Sequence, residues 1–212
     1  MKLYSYFRSS ASFRVRIALA LKGLEFETIP INLRSGEQKS DHYRSINPQG
    51  FVPALEDDGQ VIMQSLAIME YLDEAYPDTP LLLPTDIKER ATVRALVQLI
   101  ACEIHPLNNL RVLNYLTDTL HLSETVMTDW YAHWINEGFE ALEKELQKHA
   151  GHYAYGDNPT LVDCFLVPQV FNAKRIDMDL SAYPTITRVV ENCMKLNAFI
   201  QASPANQVDA VQ

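Results

Sequence analysis

Two serines and an arginine stand together at the end of a short apolar run, in SYFRSSASFRVRIALALKG at residues 5–23. Hydroxyls beside a guanidinium can hold an anion at the opening of a helix, where free N–H groups and the helix dipole favour negative charge. One hydroxyl suffices to cap a helix, so Ser9 and Ser10 offer one more than the fold requires. The anion that gains most from such a site is a thiolate. A thiol of pKa about 8.5 is roughly 3% ionised at pH 7. Lowering that pKa to about 6.5 makes about three-quarters of it thiolate, for about 2.7 kcal/mol of differential stabilisation. Position 11 is alanine, so a thiol at this turn must arrive with a ligand.

Two further motifs offer matching contacts. In FVPALED (51–57), Pro53 falls where a strand opens, a place that tolerates its missing N–H. A cis Val52–Pro53 bond there would turn the Val52 N–H and C=O outward, to pair with an extended peptide at a sheet edge. An ordinary edge-strand proline is the plainer alternative. Gln64 and Ser65 lie at a strand-to-helix junction. Ser65 either caps the helix or, with Gln64, holds a carboxylate at its N-terminus. A peptide backbone, a carboxylate and a thiolate together describe glutathione.

These groups must be carried by a mixed α/β segment. KLYSYF (2–7) reads as a strand, and residues 11–22 as a helix with Phe13, Ile17 and Leu21 at helical spacing and Gly23 as its stop. EFETIPIN (25–32) alternates as a second strand, and the polar stretch 33–50 has room for one short helix. FVPALED and VIMQ (61–64) flank the hairpin signal DDGQ, and a helix follows over 65–76 with Ser65 as its cap. PDTPLLLPTD (77–86) marks a passage between domains, and helices alone follow. Asp86 and Glu89 open a long helix to about residue 115; a second covers 123–149. Thr160 and Asp163 open a third after GDNPT, and a last one covers 184–202. The tail SPANQVDAVQ is expected to fray unless it folds over the domain. The expected organisation is an α/β domain over 1–80, a linker over 81–87 and an all-helical domain over 88–212.

Composition narrows the class. The chain has 212 residues, 47% hydrophobic, enough for one large core or two small ones. A net charge of −9 disfavours nucleic acid and acidic membranes as partners. Against it, Arg8, Arg14 and Arg16 form a local basic cluster, with a solvated helix face as the plain alternative. The three cysteines are widely spaced and suit reduced, core-filling thiols of a cytoplasmic protein; they suggest no metal site. No apolar run is long enough to span a bilayer, and the first residues lack a secretory h-region.

At this point SYFRSSASFRVRIALALKG, NPQGFVPAL, QSLAIMEYL, HPLNNLRVL, GDNPTLVDCFLVPQVFNAKR and YPTI, in this order over residues 4–186, resemble the zeta class of glutathione transferases. This group contains the maleylacetoacetate and maleylpyruvate isomerases. VPAL and QS alone would indicate only the wider superfamily; the double-serine turn with RVRIAL, and LVPQVFNAKR, narrow it. The resemblance implies a thioredoxin-like domain followed by a helical bundle, and a homodimer. It implies that Ser9 faces the glutathione sulfur with Ser10 supporting, that Gln64 and Ser65 hold the γ-glutamyl end, and that Val52 and Pro53 serve the cysteinyl backbone. His105 and Asn109, one turn apart on the first long helix, would reach cofactor or substrate. Arg8, Arg111 and Arg175 would clamp a small dicarboxylate, since the arginine fork matches carboxylates. The family often has Ser-Ser-Cys at the opening turn; Ala11 replaces that cysteine here.

The implied reaction is cis–trans isomerisation in aromatic catabolism. Thiolate addition turns the double bond of a maleyl keto acid, maleylpyruvate or maleylacetoacetate, into a single bond. Rotation and elimination give the fumaryl product and return glutathione. The alternatives are a transferase that conjugates glutathione to electrophiles such as α-halo acids, and a non-catalytic interaction module.

Overall fold

In the computed structural model, which describes residues 1–210, the chain divides into two compact units. The first is Met1–Leu83 with Met194–Gln212; the second is Pro84–Cys193.

The first unit holds β1 (Lys2–Ser5), α1 (Ser10–Lys22), β2 (Glu27–Pro30), α2 (Asp41–Ile46), β3 (Ala54–Asp57), β4 (Gln60–Met63) and α3 (Ser65–Ala75). The strands form one sheet in the order β2-β1-β3-β4. β1 runs parallel to β2, with Leu3 opposite Thr28, and antiparallel to β3, with Leu3 opposite Leu55. Leu3, Ala54 and Leu55 lie on the two interior strands and are fully buried. Asp58 and Gly59 both have positive φ, at 47° and 78°, as the two-residue hairpin turn between β3 and β4 demands. Gly23 ends α1 in the left-handed region, φ 66°, its N–H on the Ala20 carbonyl.

Three expectations for this unit change. β1 stops at Ser5, because the chain turns at once, with the Ser9 N–H on the Tyr6 carbonyl at 3.0 Å. β3 is an interior strand, so Val52 and Pro53 precede an interior strand and do not lie on a sheet edge. Arg14 and Arg16 are each only 2% exposed, so that part of the basic cluster is no solvated face. The Arg16 guanidinium donates through Nε to the Ala202 carbonyl at 2.9 Å. Burying a cation requires such acceptors, and Ala202 supplies one from α9 (Asn197–Ala202).

That contact explains why the chain beyond 193 belongs with the first unit and not with the helical domain expected over 88–212. The expected last helix is two, α8 (Pro184–Cys193) and α9, and the tail folds through a 3-10 turn at Pro204–Asn206 to a buried Asp209. The proline-rich passage is also tied down. Asp73 pairs with Lys22 at 2.8 Å and accepts from the N–H groups of Leu82 and Leu83.

The second unit holds α4 (Ile87–Gln98), α5 (Leu110–Asn114), α6 (Glu124–His149), α7 (Leu161–Lys174) and α8. The expected helix from 86 to 115 is broken. α4 widens into a π segment over Leu99–Ile104, tightens into a 3-10 turn over His105–Asn108 containing Pro106, and restarts at α5. Asp86 caps α4, and Thr160 with Asp163 forms the expected capping box at α7. Asp163 is fully buried, which pushes its carboxyl up; N–H groups of Thr160 and Ala154 and the Cys193 thiol donate to it. Among the described residues no helix is long and apolar enough to cross a membrane.

Candidate active site

The Tyr6–Ser9 turn presents Arg8 and Ser9 at the head of α1. Ser9 is the cap: its Oγ accepts from the Ser12 N–H at 3.2 Å. This uses a lone pair and leaves the hydroxyl hydrogen to donate. Capping and anion binding are therefore compatible in one side chain, where the sequence suggested dividing them between two serines. Ser10 is the first helical residue and is 6% exposed. The turn is held from below. Arg16 donates to the Ser5 hydroxyl at 3.1 Å and to the Tyr6 and Phe7 carbonyls at 3.4 and 3.1 Å. Burial pushes the Arg16 pKa down to about 10, opposed by the charge of Asp209, so it remains a cation at neutral pH.

Ser65 is not the cap of α3, as expected, but its first helical residue; Gln64 occupies the cap position. Arg14 Nη1 donates to Ser65 Oγ at 3.3 Å, which again leaves the hydroxyl hydrogen available beside the free N–H groups of the first turn. Gln64 has φ 72° and ψ 119°, a costly backbone for a non-glycine residue. Its amide donates to Gln49 Oε1 at 2.8 Å. The Val52–Pro53 bond is cis. The chain just before it is anchored by the Tyr43 hydroxyl and the Asn47 amide, which donate to the Phe51 carbonyl at 2.6 and 2.8 Å. These groups fit glutathione. Hydroxyl hydrogens stand at two helix N-termini, and a fixed segment of backbone leads into the sheet.

In the second unit, His105 lies in the 3-10 turn and Asn109 outside any helix, so they are not one turn apart on a continuous helix. Asn109 caps α5, its Oδ1 accepting from the N–H groups of Arg111 and Val112. Arg111 and Arg175 are both exposed, Arg175 at the end of α7. Tyr131 joins this set unannounced by any motif. Burial pushes its phenol up while the nearby Arg175 charge pulls it back. Its carbonyl accepts from Asn108 Nδ2 at 3.0 Å, and Trp130 Nε1 donates to Leu107 at 3.0 Å, so α6 fixes the 105–108 turn. The motifs contained Arg14 and Gln49 but did not reveal what they bond to, and they did not reveal Asp209. Their contacts are made across 15 to 202 residues of chain, which spacing cannot express.

The family models for the glutathione S-transferase N-terminal and C-terminal domains match residues 1–74 and 129–192. A maleylpyruvate isomerase of a Ralstonia species is 47% identical over 212 residues, covering 99% of this chain and 100% of its own. The holo structure of a maleylpyruvate isomerase, a bacterial zeta-class glutathione S-transferase, superposes with a TM-score of 0.96 at 47% identity over 99% of this chain and 100% of that one. A maleylacetoacetate isomerase from Methylobacterium extorquens, solved with malonate and glutathione, gives 0.95 at 38% identity over 99% of each chain. The chain belongs to the zeta class of the glutathione S-transferase family, the class of the maleylpyruvate and maleylacetoacetate isomerases.

Proposed function

We propose that this chain is a glutathione-dependent cis–trans isomerase that converts a maleyl keto acid, maleylpyruvate or maleylacetoacetate, to its fumaryl isomer. The observation that carries this reading is the full-length likeness to isomerases of that name. Glutathione, held by the site residues, would supply a nucleophilic sulfur for reversible addition to the cis olefin. The chain's own residues hold charge and orientation. Ser9 donates its hydroxyl hydrogen to the sulfur at the N-terminus of α1, with Ser10 supporting it. Gln64 and Ser65 hold the γ-glutamyl carboxylate, and Val52 and Pro53 present backbone to the cysteinyl residue. Arg8, Arg111 and Arg175 hold the substrate carboxylates, and His105 and Asn109 serve the cofactor or substrate. The same reading has the chain working as a cytoplasmic homodimer; its support is the zeta-class likeness, and sedimentation tests the oligomer.

The test is absorbance of each maleyl keto acid against time, with and without glutathione. Rapid isomerisation that requires glutathione but leaves its concentration unchanged is expected, and the ratio of kcat/KM values selects the substrate. Stoichiometric consumption of glutathione would replace this reading with a conjugating transferase.

A further inference from the structure

Phe7 is the residue before Arg8, and both of its backbone polar groups, in the peptides on either side of its Cα, are held by charged side chains. Its N–H donates to Asp209 Oδ2 at 2.9 Å, and its carbonyl accepts from Arg16 Nη2 at 3.1 Å. Arg16 also takes the Tyr6 carbonyl, the acceptor of the Ser9 N–H that closes the turn. The same guanidinium is anchored to Ala202, seven residues before Asp209. Arg16 and Asp209 are 2% and 5% exposed, so these charge-assisted bonds, made to a half-buried Phe7, are partly shielded from water. Asp209 lies 202 residues from Phe7 along the chain, in a segment with local turns such as the Asn206 N–H on the Ser203 carbonyl.

We propose that Asp209 is a positioning residue of the isomerase reaction: with Arg16 it clamps the backbone on both sides of Phe7 and so fixes the turn that aims Arg8 and Ser9. This rests on the reading that the turn faces the sulfur. Asp209 touches neither cofactor nor substrate; it acts through the backbone. A turn released on one side samples orientations in which the hydroxyl misses the sulfur, and misplacement by about 1 Å is enough to cost on the order of 100-fold in rate.

The test compares Asp209→Ala with Asp209→Asn, which keeps an acceptor for the Phe7 N–H. Amide hydrogen exchange is read on the protein without glutathione, and kcat and KM on the loaded enzyme. In Asp209→Ala, exchange at Phe7 and Ser9 should quicken at least about tenfold, as loss of a bond to a charged acceptor implies. Amides of β1 and β3 should stay protected. Turnover should fall about tenfold with KM for glutathione within about threefold, and Asp209→Asn should restore most of both effects. Unchanged exchange at Phe7, faster exchange with unchanged turnover, or an equal loss in Asp209→Asn would each overturn the proposal. Ser9→Ala, measured alongside, separates the two levels. Full turnover there removes the reading of the turn as the sulfur site, whereas the exchange comparison reports the clamp itself.

Discussion

Arg14 Nη1 lies 3.3 Å from Ser65 Oγ, a buried cation from α1 donating to the first hydroxyl of α3. The bond polarises the Ser65 O–H and strengthens it as a donor to a carboxylate. Ser65→Ala should weaken glutathione binding about 10- to 100-fold, the usual range for a hydrogen bond to a charged group. Arg14→Met should produce a smaller loss in the same direction. Titration calorimetry reads both, and full affinity in Ser65→Ala would remove that serine from the site.

Ser9 has two tasks that substitution can separate. Ser9→Ala removes the cap and the donor together, so about 1 kcal/mol of stability should go with about 100-fold in turnover. Ser9→Asp keeps an acceptor for the Ser12 N–H and suits a helix N-terminus, but offers no proton and repels a thiolate. It should melt near the native temperature while losing at least about 100-fold in kcat. A stable, active aspartate variant would show that Ser9 only caps.

Gly138 on α6 lies against Ile104, the residue before His105, and a Cβ there would overlap Ile104 Cγ1 and Cδ1. Ile104 is fully buried. Gly138→Ala should cost about 2 kcal/mol by overpacking and disturb the His105–Asn109 turn. Urea unfolding reads the first effect. A raised KM for the maleyl substrate reads the second, and an unchanged KM would detach this turn from substrate binding.

Glu143 closes the N-terminus of α8, its two oxygens accepting from the N–H groups of Thr185 and Ile186 at 2.9 Å each. Burial pushes its pKa up, but these bonds and Gln147 outweigh it and hold the carboxyl below its usual value. The folded pKa lies below the unfolded one. The carboxylate's stabilisation is therefore complete above the unfolded value, near about 4.3, and is lost as pH falls through the folded value. Glu143→Gln should lower stability at neutral pH by about 1–2 kcal/mol. It should also flatten the acid side of the stability curve below about pH 4.3. An acid limb as steep as the native protein's would assign that dependence to other carboxylates.

Local chemistry along the sequence accounts for much of this protein. Ser9 before an apolar helix, Gly23 after it, Asp58-Gly59 between two short strands and Thr160 with Asp163 each act within a few residues, and each forms the cap or turn its type dictates. The helix N-termini that carry Ser9 and Ser65 were legible for the same reason. Packing between distant segments set the rest. It set β3 inside the sheet, because strand order depends on pairing across the whole first unit. It moved the cap of α3 from Ser65 to Gln64, whose strained backbone frees the serine for Arg14. It broke the long helix at His105–Asn109, where side chains of Trp130 and Asn108 bond α6 to the turn. And it drew Ala202 and Asp209 back to Arg16 and Phe7: Ser5, Tyr6 and Phe7 supply part of what the buried guanidinium needs, and the remaining acceptors, for its Nε and for the turn amide, come from almost a full chain length away in sequence.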